Sequence, residues 1–461
     1  MRDFKLINGK INVLYAIILC VIPCLNNSCN AQNMSYKERK LTSEAKGHLL
    51  NTTQCFSPDG DWLVYDTRND DSKIGSTKTI EMININTGII KELYHTNNQT
   101  EYGPGVGAAT FSPTENKVIF IHGIRNSNKT NPYDFTRRTG VAIAVSKPLQ
   151  PIFMDARDVN PPFTIGALRG GTHAHTWSGD GQAISYTYND DVIAKSGKIK
   201  DLRTVGIMFP GKVNVADDGS LENNSGEMFS VIIANVTENP NPNSDEVDKA
   251  FDECWIGNDG YLKNDGNRQH RAIAFQGNVR NELGETVTDI FVVDLPADLN
   301  TLKAETTQGL ASARLAVPVS LAQRRITKLK EGVKGPRHWL RTSADGRIIA
   351  FLSKDKAGYI NAFGVSPNGG AVKQLSFHKF DIESGFNFSP DGKQLAYIAD
   401  RDVYITDIET GESTKIADNQ PDTKFTGTVV WSPDGKKLVY NKYVNRSGGA
   451  FLQIFVLEKE D

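Results

Sequence analysis

Eight histidines occur in 461 residues, and two of them stand one residue apart in Gly170-Gly171-Thr172-His173-Ala174-His175-Thr176-Trp177-Ser178-Gly179-Asp180-Gly181. On a strand, alternate side chains share a face. A His-x-His pair there offers two imidazoles to one divalent cation, with further ligands arriving from elsewhere in the fold. His338 precedes Ser343 by the same interval at which His173 precedes Ser178. With His48 as an additional donor, the expected metal set is His48, His173, His175 and His338, and Mn, Zn, Ca and Ni all suit it. Two other readings fit the same residues: histidines that bind a ligand without metal, and histidines with no shared role. Arg169, Arg337 and Arg341 flank the pattern and can grip a carboxylate in bidentate fashion, Arg169 and Arg337 being the candidate catalytic residues. Structural arginines tying loops together are the competing account. Asp381 and Glu383 can serve as ligand or base, or as solvated loop charges. The chain has no Gly-x-Ser-x-Gly elbow, no P-loop and no His-Glu-x-x-His.

These side chains need a scaffold, and the scaffold is a repeat. The turn Ser178-Gly179-Asp180-Gly181 recurs as Ser57-Pro58-Asp59-Gly60, Ser112-Pro113-Thr114-Glu115, Ser343-Ala344-Asp345-Gly346, Ser389-Pro390-Asp391-Gly392 and Ser432-Pro433-Asp434-Gly435. An apolar stretch precedes each copy and an alternating run follows, such as Trp62-Leu63-Val64-Tyr65. Pro presets φ, Asp caps the turn and Gly takes the positive φ, so each copy reads as strand, turn, strand. Ile83-Asn84-Ile85-Asn86-Thr87-Gly88 and Ile405-Thr406-Asp407-Ile408-Glu409-Thr410-Gly411 add a third strand and a hairpin to a fourth. Repeated four-stranded units predict an all-β fold, a β-propeller. The interval from Ser178 to Ser343 holds two units, with Arg271–Phe275 and Asp289–Asp294 as strands of a degenerate one. That gives seven blades, or six if the middle is an excursion. The chain stops after three strands of the last blade, so Tyr36–Thr42 is expected to close the ring and remove an edge. Residues 190–265 and 296–330 read as insertions, with a short helix over Asp245–Cys254.

In each blade the start of the first strand, the end of the second and the incoming loop lie at the end opposite the Ser-x-Asp-Gly turn. His48, His95, His122, His173, His175, His338 and His378 all map to that rim, and only His270 does not. One strand per blade lines the axial channel, so the channel mouth is the expected site.

Composition narrows the rest. A net charge of −2 gives no electrostatic case for nucleic acid. Arg2, Lys5 and Lys10 precede the apolar run from Ile11 to Leu25, and Cys29-Asn30-Ala31 offers small residues for cleavage after Ala31. Residues 1–31 are therefore expected to be a signal peptide and 32–461 a single propeller domain, periplasmic or secreted, without a transmembrane span in the mature chain. Leu25 lies one place too far from Cys29 for a lipobox. Cys55 and Cys254 remain, either paired or free and buried.

The Ser-Pro-Asp-Gly repeats resemble the TolB-like propellers of bacterial envelopes. Gly47-His48-Leu49-Leu50, Phe120-Ile121-His122-Gly123, Leu168-Arg169-Gly170-Gly171-Thr172-His173-Ala174-His175, Ser185-Tyr186-Thr187-Tyr188-Asn189-Asp190 and Pro336-Arg337-His338-Trp339 resemble the YidR-like family of bacterial propellers. That resemblance implies a fold and no activity, and the export signal departs from the enteric form. His173 and His175 are also similar to the His-x-His pair of oligogalacturonate lyases, which are seven-bladed propellers with a divalent metal held by histidines at the channel mouth. The Gln three residues before that pair is Gly170 here. Two functions follow as expectations. One is a metal-dependent lyase acting on an acidic oligosaccharide, in which a base takes the C5 proton and the glycosidic oxygen leaves. The other is a non-catalytic propeller that binds an envelope protein or glycan.

Overall fold

The computed structural model describes Met1 and residues 35–336, 339–420 and 423–460. The expected signal peptide with its cleavage point, and the candidates Arg337 and His338, lie outside the described residues. Ser35–Asp461 forms one compact unit.

That unit holds seven four-stranded antiparallel sheets, each a blade, in chain order around a ring. Blade 1 is Leu49–Leu50, Trp62–Asp66, Thr79–Asn84 and Ile90–His95. Blade 2 is Val106–Phe111, Lys117–Gly123, Arg138–Ala144 and Ile152–Phe153. Blade 3 starts with Gly170–Trp177 and Ile184–Asp190, and blade 4 with Ala250–Trp255 and Ala272–Arg280. Blades 5, 6 and 7 begin at Arg341, Ile382 and Thr423. The ring closes as expected: Tyr36–Lys40 pairs antiparallel with Gly449–Lys459, from Tyr36 opposite Lys459 to Lys40 opposite Phe455. Glu38 accepts from the Lys442 ammonium at 2.5 Å and from the Tyr440 hydroxyl, fixing that strand to blade 7.

The repeated turn is a small hydrogen-bond machine. Ser57 Oγ donates to Asp59 Oδ1 at 2.5 Å and accepts from the Trp62 amide at 3.0 Å, while the Gly60 amide returns to the Ser57 carbonyl. Ser178, Ser343, Ser389 and Ser432 repeat the hydroxyl-to-carboxylate bond at 2.5–2.6 Å. Serine starts the turn, aspartate orients it and glycine closes it, which is why these three types recur.

Blade 4 is the degenerate unit. Its middle strands are Ala272–Arg280 and Thr286–Asp294, where the apolar runs placed them. The helix expected over Asp245–Cys254 is instead loop and strand. Val247, Ala250 and Cys254 are buried at helix-like spacing. A one-residue bulge between Phe251 and Cys254, with Asp252 at φ 54°, produces that spacing within a strand. Residues 190–265 likewise are not one insertion. They supply the two outer strands of blade 3, Thr204–Val213 and Gly226–Ile232, and the inner strand of blade 4. The stretch 296–330 carries a 3-10 segment, Leu299–Glu305, and the outer strand Gln323–Arg325. Cys55 and Cys254 are free and buried.

Candidate functional site

The His-x-His pair sits on the inner strand of blade 3, but the strand does not alternate through it. His173 pairs with Thr187 and Thr176 with Ser185, so the inner strand spends one residue more than its neighbour. Ala174 absorbs the bulge at φ 59°, a left-handed conformation that costs a non-glycine residue. The two imidazoles therefore part company. His175 is wholly enclosed between blades 2 and 3. Its Nε2 lies 2.9 Å from Thr172 Oγ1, which donates to Asp155 Oδ2 at 3.2 Å. That chain requires the Nε2–H tautomer and leaves Nδ1 as an enclosed lone pair without a partner. Burial, aided by the Arg138 charge, pushes His175 down to about 3. Burial raises Asp155 to about 6, against the bonds from Gly140, Thr139 and Thr172. His173 stays half-buried and accepts from Arg138 Nη1 at 2.8 Å.

The other expected ligands lie elsewhere. His48 is buried at the seam of blades 1 and 7, with Nδ1 3.1 Å from the Leu452 carbonyl and Nε2 3.4 Å from Glu44. His122 bonds Tyr94, His378 bonds Tyr397 and His95 bonds Glu92, each within its own blade or seam. His270 pairs with Asp259 near the blade 3 turn, away from the rim. Among the described residues no three His, Cys, Asp or Glu side chains are gathered to hold a metal ion. The described members of the donor set do not fit one cation: His48 is committed to the ring seam, and a guanidinium sits on His173. Arg169 is fully enclosed and bound to Asp190 at 2.5 Å and to the Leu310 and Ala313 carbonyls. It ties blade 3 to the 296–330 stretch.

The residue that does stand ready is Arg138, at the start of the third strand of blade 2. It is only 4 % exposed, and no carboxylate pairs with it among the described residues. Its Nε has no partner. Burial lowers its proton affinity, and nearby Arg203 lowers it further. The guanidinium lies over Phe135 at 4.4 Å and Tyr133 at 4.9 Å. Arg203 covers Phe135 as well, at 5.3 Å. Phe135 is nevertheless 53 % exposed, so an aromatic face and two cations meet at the edge of blades 2 and 3.

The loop that carries Phe135 is held from beneath. A Cβ on Gly171 would lie 2.1 Å from the Phe135 carbonyl oxygen, and one on Gly170 would lie 2.0 Å from that of Asn189. The two glycines let the loop and the neighbouring strand close on this backbone. Arg157, fully enclosed, donates to the Thr136 carbonyl at 2.9 Å, to Asp191 at 3.1 Å and to Glu222 at 2.8 Å. Arg137 adds two bonds to Glu222 at 2.6 Å. Burial alone would raise the Glu222 carboxyl, yet the two guanidiniums hold it at about 2. No single residue in this loop has a chemical signature in isolation. The pair Arg137-Arg138 beside two aromatics was the signal available.

Fold and site define a seven-bladed β-propeller with a cationic, aromatic-edged mouth. Within that class, the chain is 35% identical over 411 residues to YidR of Escherichia coli (strain K12), an uncharacterised protein, covering 87% of this chain and 94% of that one. The chain belongs to the YidR family. Residues 105–220 match a family of unknown function, DUF3748, and residues 368–447 match the dipeptidyl peptidase IV N-terminal region. Among solved structures, an oligogalacturonate lyase in complex with manganese superposes with a TM-score of 0.53 at 11% identity, covering 93% of this chain and 95% of that one. A puromycin hydrolase gives 0.51 at 13% identity, covering 89% of this chain and 52% of that one. At such identities the likeness is one of fold. Among the described residues no helix is long and apolar enough to cross a membrane.

Proposed function

We propose that this protein binds an acidic oligosaccharide at the mouth between blades 2 and 3. Arg138 takes a uronate carboxylate there, Arg203 supports it and Phe135 stacks on a sugar ring. The observation that carries this reading is Arg138: a nearly buried guanidinium with no carboxylate partner among the described residues, beside an aromatic ring left half in solvent. A buried charge is stable only when paired, and a sugar acid supplies both the missing charge and a face for Phe135. The shared fold with an oligogalacturonate lyase makes oligogalacturonate the first ligand to try. We take the mature chain to start at Gln32 and to act outside the cytoplasm, as the leader composition implies.

Calorimetry with oligogalacturonate, against a neutral oligosaccharide of equal length, tests the binding. Phe135→Ala and Arg138→Gln are each expected to weaken binding at least tenfold. Equal affinity for the neutral sugar would remove the proposal. Absorbance of an unsaturated product in the same mixture decides whether the bound uronate is also cleaved. Cleavage would make the protein an eliminative lyase, and an intact ligand would leave a binding propeller. Binding of neither sugar would favour a protein partner at the rim.

A further inference from the structure

The axial channel has a second chemistry at its other end, on the side of the Ser-x-Asp-Gly turns. There a cavity of about 360 Å³ opens among blades 1 to 5, lined among others by Gln54, Trp177, Glu253, Cys254 and Arg341. Glu253 follows the bulge residue of blade 4, as His175 follows that of blade 3. It is 6 % exposed, and neither of its carboxyl oxygens has a hydrogen-bond partner. The indole N–H of Trp177, in the same lining, is also unmatched. Arg341 lines the same cavity, held in place by bonds to the Leu340 carbonyl at 2.8 Å, Asn387 at 3.0 Å and Thr52 at 3.1 Å. No ion pair joins Glu253 to Arg341, although both line one cavity.

An unmatched buried carboxyl destabilises the fold, and more so when ionised. No other carboxyl lines the cavity among the described residues, so with Glu253 protonated the Arg341 guanidinium has no counter-charge there. A metal ion would meet the Arg341 charge, and a simple anion would meet Glu253. A molecule carrying both charges satisfies both walls.

We propose that this cavity binds a small zwitterion of the α-amino-acid class, its ammonium group on Glu253 and its carboxylate on Arg341, with the Trp177 N–H as a further donor. Burial raises the Glu253 carboxyl well above its ordinary range, with its own backbone N–H opposing, Asp252 adding to the rise, and Arg203 and Arg341 opposing it. The ammonium therefore displaces a proton on binding, and the heat of binding depends on the buffer.

The test uses the mature chain from Gln32, titrated by calorimetry with L-alanine, L-serine, L-glutamate and L-phenylalanine. Ethylamine and propionate represent the separate halves. At least one amino acid is expected to bind, with each half at least tenfold weaker. Glu253→Gln, which keeps the shape and mimics the protonated acid, is expected to weaken binding at least tenfold and abolish the buffer dependence. Arg341→Lys should weaken it similarly. No binding of any of the four, or unchanged binding in Glu253→Gln, overturns the proposal. If Arg341→Lys does not fold, Glu253→Gln decides alone. Oligogalacturonate binding at the opposite mouth is expected to be unchanged in Glu253→Gln, so the two sites stand or fall separately.

Discussion

Glu222 is the residue through which the Phe135 loop is fastened, and its replacement by Gln can be worked through in numbers. The ordinary value of the carboxyl is 4.5 and the folded value is about 2. At about 1.4 kcal/mol for each tenfold change in proton affinity, the ionised form contributes up to about 3 kcal/mol to folding. The side chain keeps 12% of its exposure, and solvent screening brings the expected figure nearer to about 2 kcal/mol. The sign follows from a depressed value: the contribution is complete above pH 4.5 and is lost as pH falls toward 2. At pH 3.5 the unfolded carboxyl is already mostly protonated while the folded one is not, so roughly two-fifths of the contribution is gone. Glu222→Gln is therefore expected to be about 2 kcal/mol less stable than the parent at pH 7 by urea unfolding, and closer to it at pH 3.5. A gap of the same size at both values would mean that shape, not charge, holds the loop, and the argument would fail. The variant should also bind oligogalacturonate more weakly, because Arg137 and Arg157 no longer share an anchor.

Three further outcomes are expected. Glu38→Ala leaves the Lys442 ammonium, whose side chain is 1% exposed, without its carboxylate, and should cost about 3 kcal/mol in urea unfolding; a loss below about 1 kcal/mol would show that the closing strand depends on its backbone bonds alone. Ser389→Ala removes a hydroxyl bonded to both Asp391 and the Gln394 amide, so stability should drop by about 1–2 kcal/mol. A thermal melt that does not move would contradict the role given to the turn serine. Burial pushes both Cys55 and Cys254 up to about 12, so a thiol reagent at pH 8 should label neither in the folded mature chain and both after unfolding; rapid labelling of either would contradict the burial described.

Much of the ring was legible because its signal is local. Ser, Asp and Gly in the turn act on atoms within five residues of one another, so spacing alone reveals them. Blade 4 was harder, since Ile256-Gly257-Asn258-Asp259 lacks the serine, yet its two middle strands kept their apolar runs. The ligand set was far less legible. Alternation placed His173 and His175 together, but a left-handed Ala174 separates them, and nothing in alanine's chemistry announces a positive φ. The same bulge recurs at Ala108 and Asp252, which ties it to the packing of inner strands around a channel and not to residue type. Arg138 and Phe135 were hidden for another reason: their significance lies in what they lack among the described residues, a carboxylate for Arg138 and burial for Phe135, and both are properties of the folded chain.

The pairing of Tyr36–Lys40 with Gly449–Lys459 bears on the order in which the molecule can be assembled. Among the described strands, the first in the chain has as its partner the last. Blades 1 to 6 draw their strands from neighbouring sequence and can form as they emerge. Blade 7 must wait with an empty outer position until both ends are present. A chain truncated before Gly449 would carry a free strand at one end and an unfilled edge at the other. Synthesis through Lys459 is thus the step that turns a row of blades into a closed ring, and a copy that stops short of it leaves a sheet edge exposed.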